Sequence, residues 1–311
     1  MASFALSVIR GLFGLADHAA PRLTARVAFE LFCRTPHPGK LTPRERQVVD
    51  EAQDFMAQAR LHRLSAASGC VVAYDFRPPS GRYVATVLVL HGWRSRTEHM
   101  RRLIEGLLQA GTRVIAIDLP GHGLSQGRRL HMAHAVAAAH AADVWFGPFD
   151  AAIGHSFGGA VAVNAAVGSV KGIARLRAAR LVLISAPSSM PAIFEDFGRF
   201  LNLGPRAQMA VAAIVEDIAG HPLETYVGAL QLAEHRDIPA LAIHSADDKE
   251  VAPDSARAFA RAGDHVRVVW ANGLGHRRIL GDPAVIVQAV DFATQQEQPA
   301  MKARNLRTAR R

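Results

Sequence analysis

The chain has 311 residues, of which 50% are hydrophobic and 20% are charged, so it can bury a large core and does not belong among disordered proteins. Its length fits one large α/β domain that carries a small insertion. Two cysteines, Cys33 and Cys70, are too few for a disulfide framework and lack the spacing of metal ligands, which favours a reducing compartment such as the cytoplasm.

The net charge of +9 is concentrated at the C-terminus. The last ten residues carry five cations: Lys302, Arg304, Arg307, Arg310 and Arg311. Aromatic side chains that could stack on bases do not alternate with these cations, so we expect no nucleic-acid partner. A basic segment without acidic residues is typical of a solvated chain end, and we predict a disordered basic tail over residues 297–311.

The N-terminal residues predict helices outside the main body. Residues 1–15 are mostly apolar, but Arg10 interrupts them and no basic region precedes them, which fits neither a signal peptide nor a membrane span. A helix that packs on the body is favoured over an interfacial anchor. The pattern over residues 22–63 is also helical, with a restart at Thr42, a typical cap. We therefore predict that residues 1–65 form a helical N-terminal extension.

Beyond this extension, predicted strands and helices alternate. The run 84–90 is almost continuously apolar, as expected of a strand buried on both faces of a parallel sheet. Further strands are predicted at 71–76, 113–118, 150–153, 180–184, 240–244 and 266–270, and helices at 98–109, 131–142, 160–166 and 282–292. This alternation predicts a doubly wound, mostly parallel α/β sheet in a domain of residues 66–296.

One connection is too long for a simple crossover. Residues 187–237 separate two predicted strands, whereas a crossover helix needs far fewer residues. Helical patterns at 193–201 and 207–218 carry several large apolar side chains. We predict that this segment is a short helical lid whose apolar underside covers the carboxyl ends of the strands.

A G-x-S-x-G pattern lies between a predicted strand and a helix of small residues, and it makes Ser156 the candidate nucleophile. A serine on such a sharp turn has its hydroxyl exposed at the end of a sheet. Gly154 and Gly158 avoid the collisions that side chains would cause at this turn. The amide of Phe157, at the start of the helix, would face negative charge that develops on a substrate oxygen.

Two later segments follow predicted strands and carry candidate partners for Ser156. His276 lies on a glycine-bracketed loop after the last strand and is the candidate general base. Asp247 and Asp248 are adjacent at the end of an earlier strand, and either could orient an imidazole and stabilise its charged form.

These segments resemble the α/β-hydrolase family, of the serine esterase and lipase kind, over about residues 84–292. The turn His91-Gly92-Trp93 resembles the family's H-G-x turn, which implies that the amide of Trp93 completes an oxyanion hole with that of Phe157. Residues 118–125 resemble the family's D-x-x-G-x-G-x-S loop. The run at 125–128 is similar to monoacylglycerol-lipase and lysophospholipase-like members.

The resemblance also bears on the acid. The family pattern I-H-G-x-x-D-x-x-V aligns with the segment that holds both aspartates and implies that Asp248 is the acid. Ser245 stands where the family has glycine, and this departure leaves Asp247 as an alternative. The chain order of nucleophile, acid and histidine is also the family's order, which implies a triad of Ser156, Asp248 and His276.

The resemblance implies a serine hydrolase that cleaves a small-molecule carboxylic ester or thioester with an apolar acyl group, without a cofactor. A metal site is not favoured: His131, His134 and His140 lie on one predicted helix, but Asp143 is the only acid near them. Two alternatives stay open, an acyltransferase that uses the same triad and a ligand-binding receptor or scaffold of the same fold with little turnover.

Overall fold

The computed structural model describes residues 4–37 and 39–295. Within these ranges the strands are β1 (Arg60–Ala66), β2 (Gly69–Phe76), β3 (Ala85–Leu90), β4 (Thr112–Ile117), β5 (Ala151–His155), β6 (Leu181–Ile184), β7 (Ala240–His244) and β8 (Val266–Trp270). The α-helices are α1 (Phe4–Ala19), α2 (Pro21–Cys33), α3 (Pro43–Met56), α4 (Arg101–Gln109), α5 (Met132–Phe146), α6 (Phe157–Val167), α7 (Met190–Leu201), α8 (Pro205–Ala219), α9 (Gly228–Glu234), α10 (Asp254–Ala260), α11 (Gly275–Arg278) and α12 (Pro283–Thr294).

All of these strands belong to one sheet in the order β1-β2-β4-β3-β5-β6-β7-β8. The pairs β1–β2 and β2–β4 are antiparallel, and every other neighbouring pair is parallel. The predicted doubly wound, mostly parallel sheet is therefore confirmed. Because the parallel strands all end at the same edge, the loops after β3, β5, β7 and β8 converge there.

Helices cover both faces of the sheet. Along β3, Val87 and Val89 pack into one core, while Leu88 and Leu90 pack into the other, because successive side chains of a strand point to opposite faces. Helices α5 and α6 lie over the second core, and α4 and α12 lie over the first. Burial on both faces explains why the sequence of β3 is continuously apolar rather than alternating.

The first strand was not expected. The prediction of helix over residues 22–63 is wrong at its end, because β1 begins at Arg60 and pairs antiparallel with β2 along its whole length. Leu64 is the one fully buried residue of β1, so this edge strand has no apolar run that would distinguish it. The domain boundary at residue 65 stays a prediction, and the predicted tail of residues 297–311 lies outside the described residues.

The predicted lid helices are confirmed as α7 and α8, which lie between β6 and β7. Helices α1 and α2 of the N-terminal extension pack directly on them. Phe13 of α1 and Ala28 of α2 share a buried cluster with lid residues that include Leu201 and Ala207. Extension and lid therefore form one continuous layer of helices at this end of the molecule.

A buried polar contact also joins the extension to the lid. Asp17 of α1 is buried, and its Oδ1 accepts a 2.7 Å hydrogen bond from the amide of Ala207 in the first turn of α8. A carboxylate at a helix N-terminus satisfies a free amide and interacts favourably with the helix dipole.

The opposite side of α1 leaves Leu12 and Leu15 exposed. In the described ranges, every helix is too short or too polar to cross a membrane.

We predict that Asp17→Ala lowers the free energy of unfolding by about 1 kcal/mol, as loss of a helix cap usually does. The buried amide of Ala207 would lose its acceptor, and α1 would lose its buried hydrogen bond to the lid. Urea unfolding followed by circular dichroism measures the change. The control is Asp217→Ala, which removes an exposed aspartate from the last turn of α8. This change should not lower the free energy of unfolding. Equal losses in both variants would contradict the capping role.

Candidate active site

The backbone is strained at Ser156, where β5 ends and α6 begins. Its φ of 53° and ψ of −125° lie in a region that non-glycine residues rarely adopt. Such a conformation costs about 1–3 kcal/mol and persists only where the surrounding structure holds it, most often at functional sites. Here the amide of Ser156 donates a 2.9 Å hydrogen bond to the carbonyl of Ile184, at the end of β6. The turn therefore has the geometry expected of a nucleophile-bearing serine.

Three glycines allow the backbone to pack tightly around this serine. A Cβ added at Gly154 would overlap the carbonyl of Gly158, and one added at Gly158 would overlap the carbonyl of Leu90 in β3. A Cβ added at Gly92 would lie 3.0 Å from the Cβ of Ser156. The turn after β3 and the turn after β5 thus touch backbone to backbone, and side chains at these glycines would separate them.

His91 holds the turn after β3 in place. Its Nδ1 donates a 2.8 Å hydrogen bond to the carbonyl of Gly92, and its Nε2 accepts a 2.9 Å hydrogen bond from the amide of Leu119. Burial lowers the pKa of this imidazole well below its ordinary value, so the ring is neutral. The buried ring links the turn that carries Trp93 to the loop after β4.

Trp93 and Phe157, the predicted oxyanion residues, are neighbours. Their rings meet edge to face with centroids 5.5 Å apart. Among the residues that the structure describes, neither backbone amide donates a hydrogen bond. Both amides are therefore available to a substrate oxygen, and their role in an oxyanion hole stays a prediction.

Asp118 braces the loops around the site without contacting it. Its Oδ1 accepts hydrogen bonds from the amide and the hydroxyl of Thr97, at 3.0 and 2.9 Å. Its Oδ2 accepts hydrogen bonds of 2.9 Å from the Tyr74 hydroxyl and from the amide of Leu124. A Cβ at Gly123 would overlap this carboxylate. The loop predicted from the D-x-x-G-x-G-x-S pattern therefore closes around a buried charge whose oxygens are fully used.

Asp248 and His276 form a direct hydrogen bond, with His276 Nδ1 donating to Asp248 Oδ2 at 2.8 Å. The other carboxylate oxygen accepts hydrogen bonds from the amides of Glu250 and Val251, at 2.8 and 2.9 Å. Burial alone would raise the pKa of Asp248, but the hydrogen bonds from His276 and the two amides outweigh it and hold the pKa at about 2. The carboxylate stays charged, so Nδ1 carries the proton and Nε2 is left as an acceptor.

Asp247 has a different position. It is exposed, and its Oδ1 accepts hydrogen bonds from the Ser245 hydroxyl at 2.5 Å and from the amide of Gly273 at 2.7 Å. These two bonds lower the pKa of its carboxyl group. Asp247 thus caps the loop that precedes His276 and does not bond the imidazole.

The second ring nitrogen of His276 lies near the carboxylate of Glu250. Its Nε2 lies 3.9 Å from Oε2 of Glu250, which is held in turn by Arg277 through hydrogen bonds of 2.9 and 3.3 Å. Within the described ranges Ser156 Oγ makes no hydrogen bond, including none to His276. Hydrogen bonds of this kind are often long before a substrate binds and shorten in the complex.

His155 connects the serine turn to the histidine loop. Its Nε2 donates a 2.8 Å hydrogen bond to the carbonyl of His276, and the two rings lie 4.8 Å apart. Burial, followed by the neighbouring His276, lowers the pKa of His155 to about 4, so the ring is neutral. Sequence reasoning missed both His155 and Glu250, although each lies within two residues of a predicted site residue.

Metal ligands are not gathered anywhere in the described part of the chain: no three His, Cys, Asp or Glu side chains lie close enough to hold an ion. His131 precedes α5 and caps it, since its Nδ1 accepts a 3.3 Å hydrogen bond from the amide of His134. These two rings stack with centroids 3.6 Å apart.

A small apolar cavity lies beside the serine turn. Phe157, the residue after Ser156, forms part of its wall together with Met132 and Ala133 of α5. Lid side chains, including Phe194, close it from above. The arrangement offers an apolar group a place next to the candidate nucleophile.

The chain matches a known family and resembles several solved structures. A model of the alpha/beta hydrolase family matches residues 87–289. An esterase domain from Rhodothermus marinus is 21% identical, with a TM-score of 0.55, over 76% of this chain and 96% of that one. An esterase of Pyrococcus furiosus is 19% identical, with a TM-score of 0.57, over 84% and 96%.

An esterase from Exiguobacterium antarcticum is 14% identical, with a TM-score of 0.55, over 75% of this chain and 99% of that one. No curated protein sequence matches the chain. Identities this low show a shared fold and do not transfer a substrate. The family match spans more than half of the residues and includes the serine turn, the acid loop and the histidine loop. The chain therefore belongs to the alpha/beta hydrolase family.

Proposed function

We propose that the protein is a serine hydrolase that cleaves a carboxylic ester through an acyl-enzyme. The observation that carries the proposal is the 2.8 Å hydrogen bond from His276 to the buried, charged carboxylate of Asp248. His155 joins the loop that holds His276 to the strained turn at Ser156. A nucleophile, a base and a group that orients the base are the parts that acyl transfer requires. That the structural neighbours include esterases agrees with this reaction.

In the first half of the reaction, Ser156 Oγ attacks the carbonyl carbon of the ester while His276 Nε2 takes the hydroxyl proton. The carbonyl electrons move onto the oxygen, and the amides of Trp93 and Phe157 stabilise the resulting oxyanion. Asp248 stabilises the imidazolium. Collapse of the intermediate breaks the ester bond, and His276 returns the proton to the departing alcohol.

In the second half, water attacks the carbonyl carbon of the acyl-enzyme and loses its proton to His276. The same two amides hold the second oxyanion. The bond to Ser156 then breaks, the serine oxygen regains its proton from His276, and the carboxylic acid leaves. No electron acceptor and no further reactant are needed.

The proposal predicts a stoichiometric burst of nitrophenol when the protein is mixed with p-nitrophenyl esters, because these activated esters form the acyl-enzyme faster than it is hydrolysed. Rapid-mixing absorbance measures the burst. A ligand-binding receptor would bind these esters without releasing nitrophenol. An acyltransferase would release nitrophenol slowly in water and faster when an alcohol is added as the acceptor.

We predict that Ser156→Ala lowers ester turnover by more than about a thousandfold and abolishes labelling by a fluorophosphonate probe. The melting temperature should stay close to that of the wild type, since Ser156 Oγ makes no hydrogen bond among the described residues. Ser245→Ala, which removes another serine hydroxyl near the site, is the control for labelling. Retained labelling in the Ser156 variant would point to a different nucleophile.

We predict that Asp248→Asn lowers the turnover number by roughly two to four orders of magnitude. An amide cannot stabilise the imidazolium, and its NH2 group would favour the wrong tautomer of His276. Asp247→Asn is the matched control and should have little effect, because its contacts are to Ser245 and Gly273. Steady-state kinetics on one ester compares the two variants. The reverse ranking would make Asp247 the acid.

A further inference from the structure

We propose that helix α2 of the N-terminal extension forms a wall of the acyl site, and that the substrate is an ester of an uncharged acyl group whose length this wall limits. This inference rests on the proposed serine hydrolase function. The family match begins at residue 87, so α2 lies outside it and the role of α2 does not follow from membership of the family.

Phe32 of α2 contacts both the lid and the turn after β3. Its ring lies between the turn after β3 and the lid, with ring centroids 5.8 Å from Trp93, 4.5 Å from Phe194 and 5.0 Å from Phe197. It also lines the cavity beside Phe157. A single side chain of the extension therefore touches a predicted oxyanion residue, the lid and the space next to the candidate nucleophile.

Phe29 stands one helical turn earlier and lines the same cavity. Only 3% of its surface is exposed, and its ring lies 6.3 Å from Phe194 and 6.5 Å from His131. Because residues three apart share one face of a helix, α2 presents both rings to the cavity. The same helix buries Cys33 against Val211 of α8, so the wall is firmly packed.

The walls of the cavity limit the length of the acyl group. Helix α2 contributes Phe29 and Phe32 to these walls, and the lid contributes Phe194. The rings of Phe32 and Phe194 have centroids only 4.5 Å apart, so an acyl chain that extends past them would require α2 to separate from the lid.

The lining also selects against charge. Two titratable residues line the cavity, His131 and Tyr226. Burial lowers the pKa of His131 to about 3 and raises that of Tyr226 to about 12, so both are neutral near pH 7. An acyl group with a second carboxylate would find no cation in the cavity and would lose its hydration.

The test measures kcat/KM for p-nitrophenyl esters from acetate to decanoate. The wild-type value should pass through a maximum within this series. Phe32→Ala and Phe32→Leu should move the optimum to longer chains by two or more carbons, because they remove part of the wall. Ala133→Leu, which fills the cavity from α5, should remove activity on butyrate before it removes activity on acetate.

Leu31→Ala is the matched control, since it removes an aliphatic side chain from the same turn of α2 on its 44% exposed side. It should keep the wild-type profile. If Phe32→Ala does not fold, Phe32→Leu carries the comparison. An unchanged optimum in the Phe32 variants overturns the inference while Ser156-dependent turnover remains. Turnover that is equal in the wild type and Ser156→Ala would instead overturn the proposed function.

Discussion

The arrangement of the turns at the carboxyl edge of the sheet depends on the strained backbone conformation of Ser156. Its conformation is stable only because neighbouring segments approach without side chains between them, as Gly158 does at Leu90 and Gly92 does at Ser156. These contacts lock the turn after β5 to the turn after β3. The candidate nucleophile and both predicted oxyanion amides are therefore parts of one rigid unit, which is the preorganisation that acyl transfer needs.

Two carboxylates, Asp118 and Asp248, are buried at this edge of the sheet, and their hydrogen-bond partners determine their different roles. Asp118 accepts hydrogen bonds from Thr97, Tyr74 and the amide of Leu124, so it braces loops and is not available for chemistry. Asp248 directs one oxygen to backbone amides and the other to the ring of His276. The first carboxylate keeps the loops in register, and the second can act on an imidazole whose charge changes during a reaction.

The N-terminal extension is part of the structure around the site. Its first two helices, α1 and α2, bury apolar residues against the lid, and Asp17 caps lid helix α8. Phe32 reaches from α2 to Trp93 beside the serine turn. Movement of the lid would therefore disturb the extension as well, and substrates too large for the closed cavity would have to separate both from the body.

Local constraints made the positions of most strands, the serine turn and the histidine loop predictable, because strand burial and sharp turns act within a few consecutive residues. Adjacent side chains such as Asp247 and Asp248 follow the same strand, and only the position of a loop 28 residues later decides which of them bonds His276. The strand β1 was missed because it buries one residue and takes its conformation from pairing with β2. The aromatic contacts of Phe32 join segments far apart in the chain, and no local periodicity carries that information, so tertiary packing alone decided that α2 lies beside the cavity.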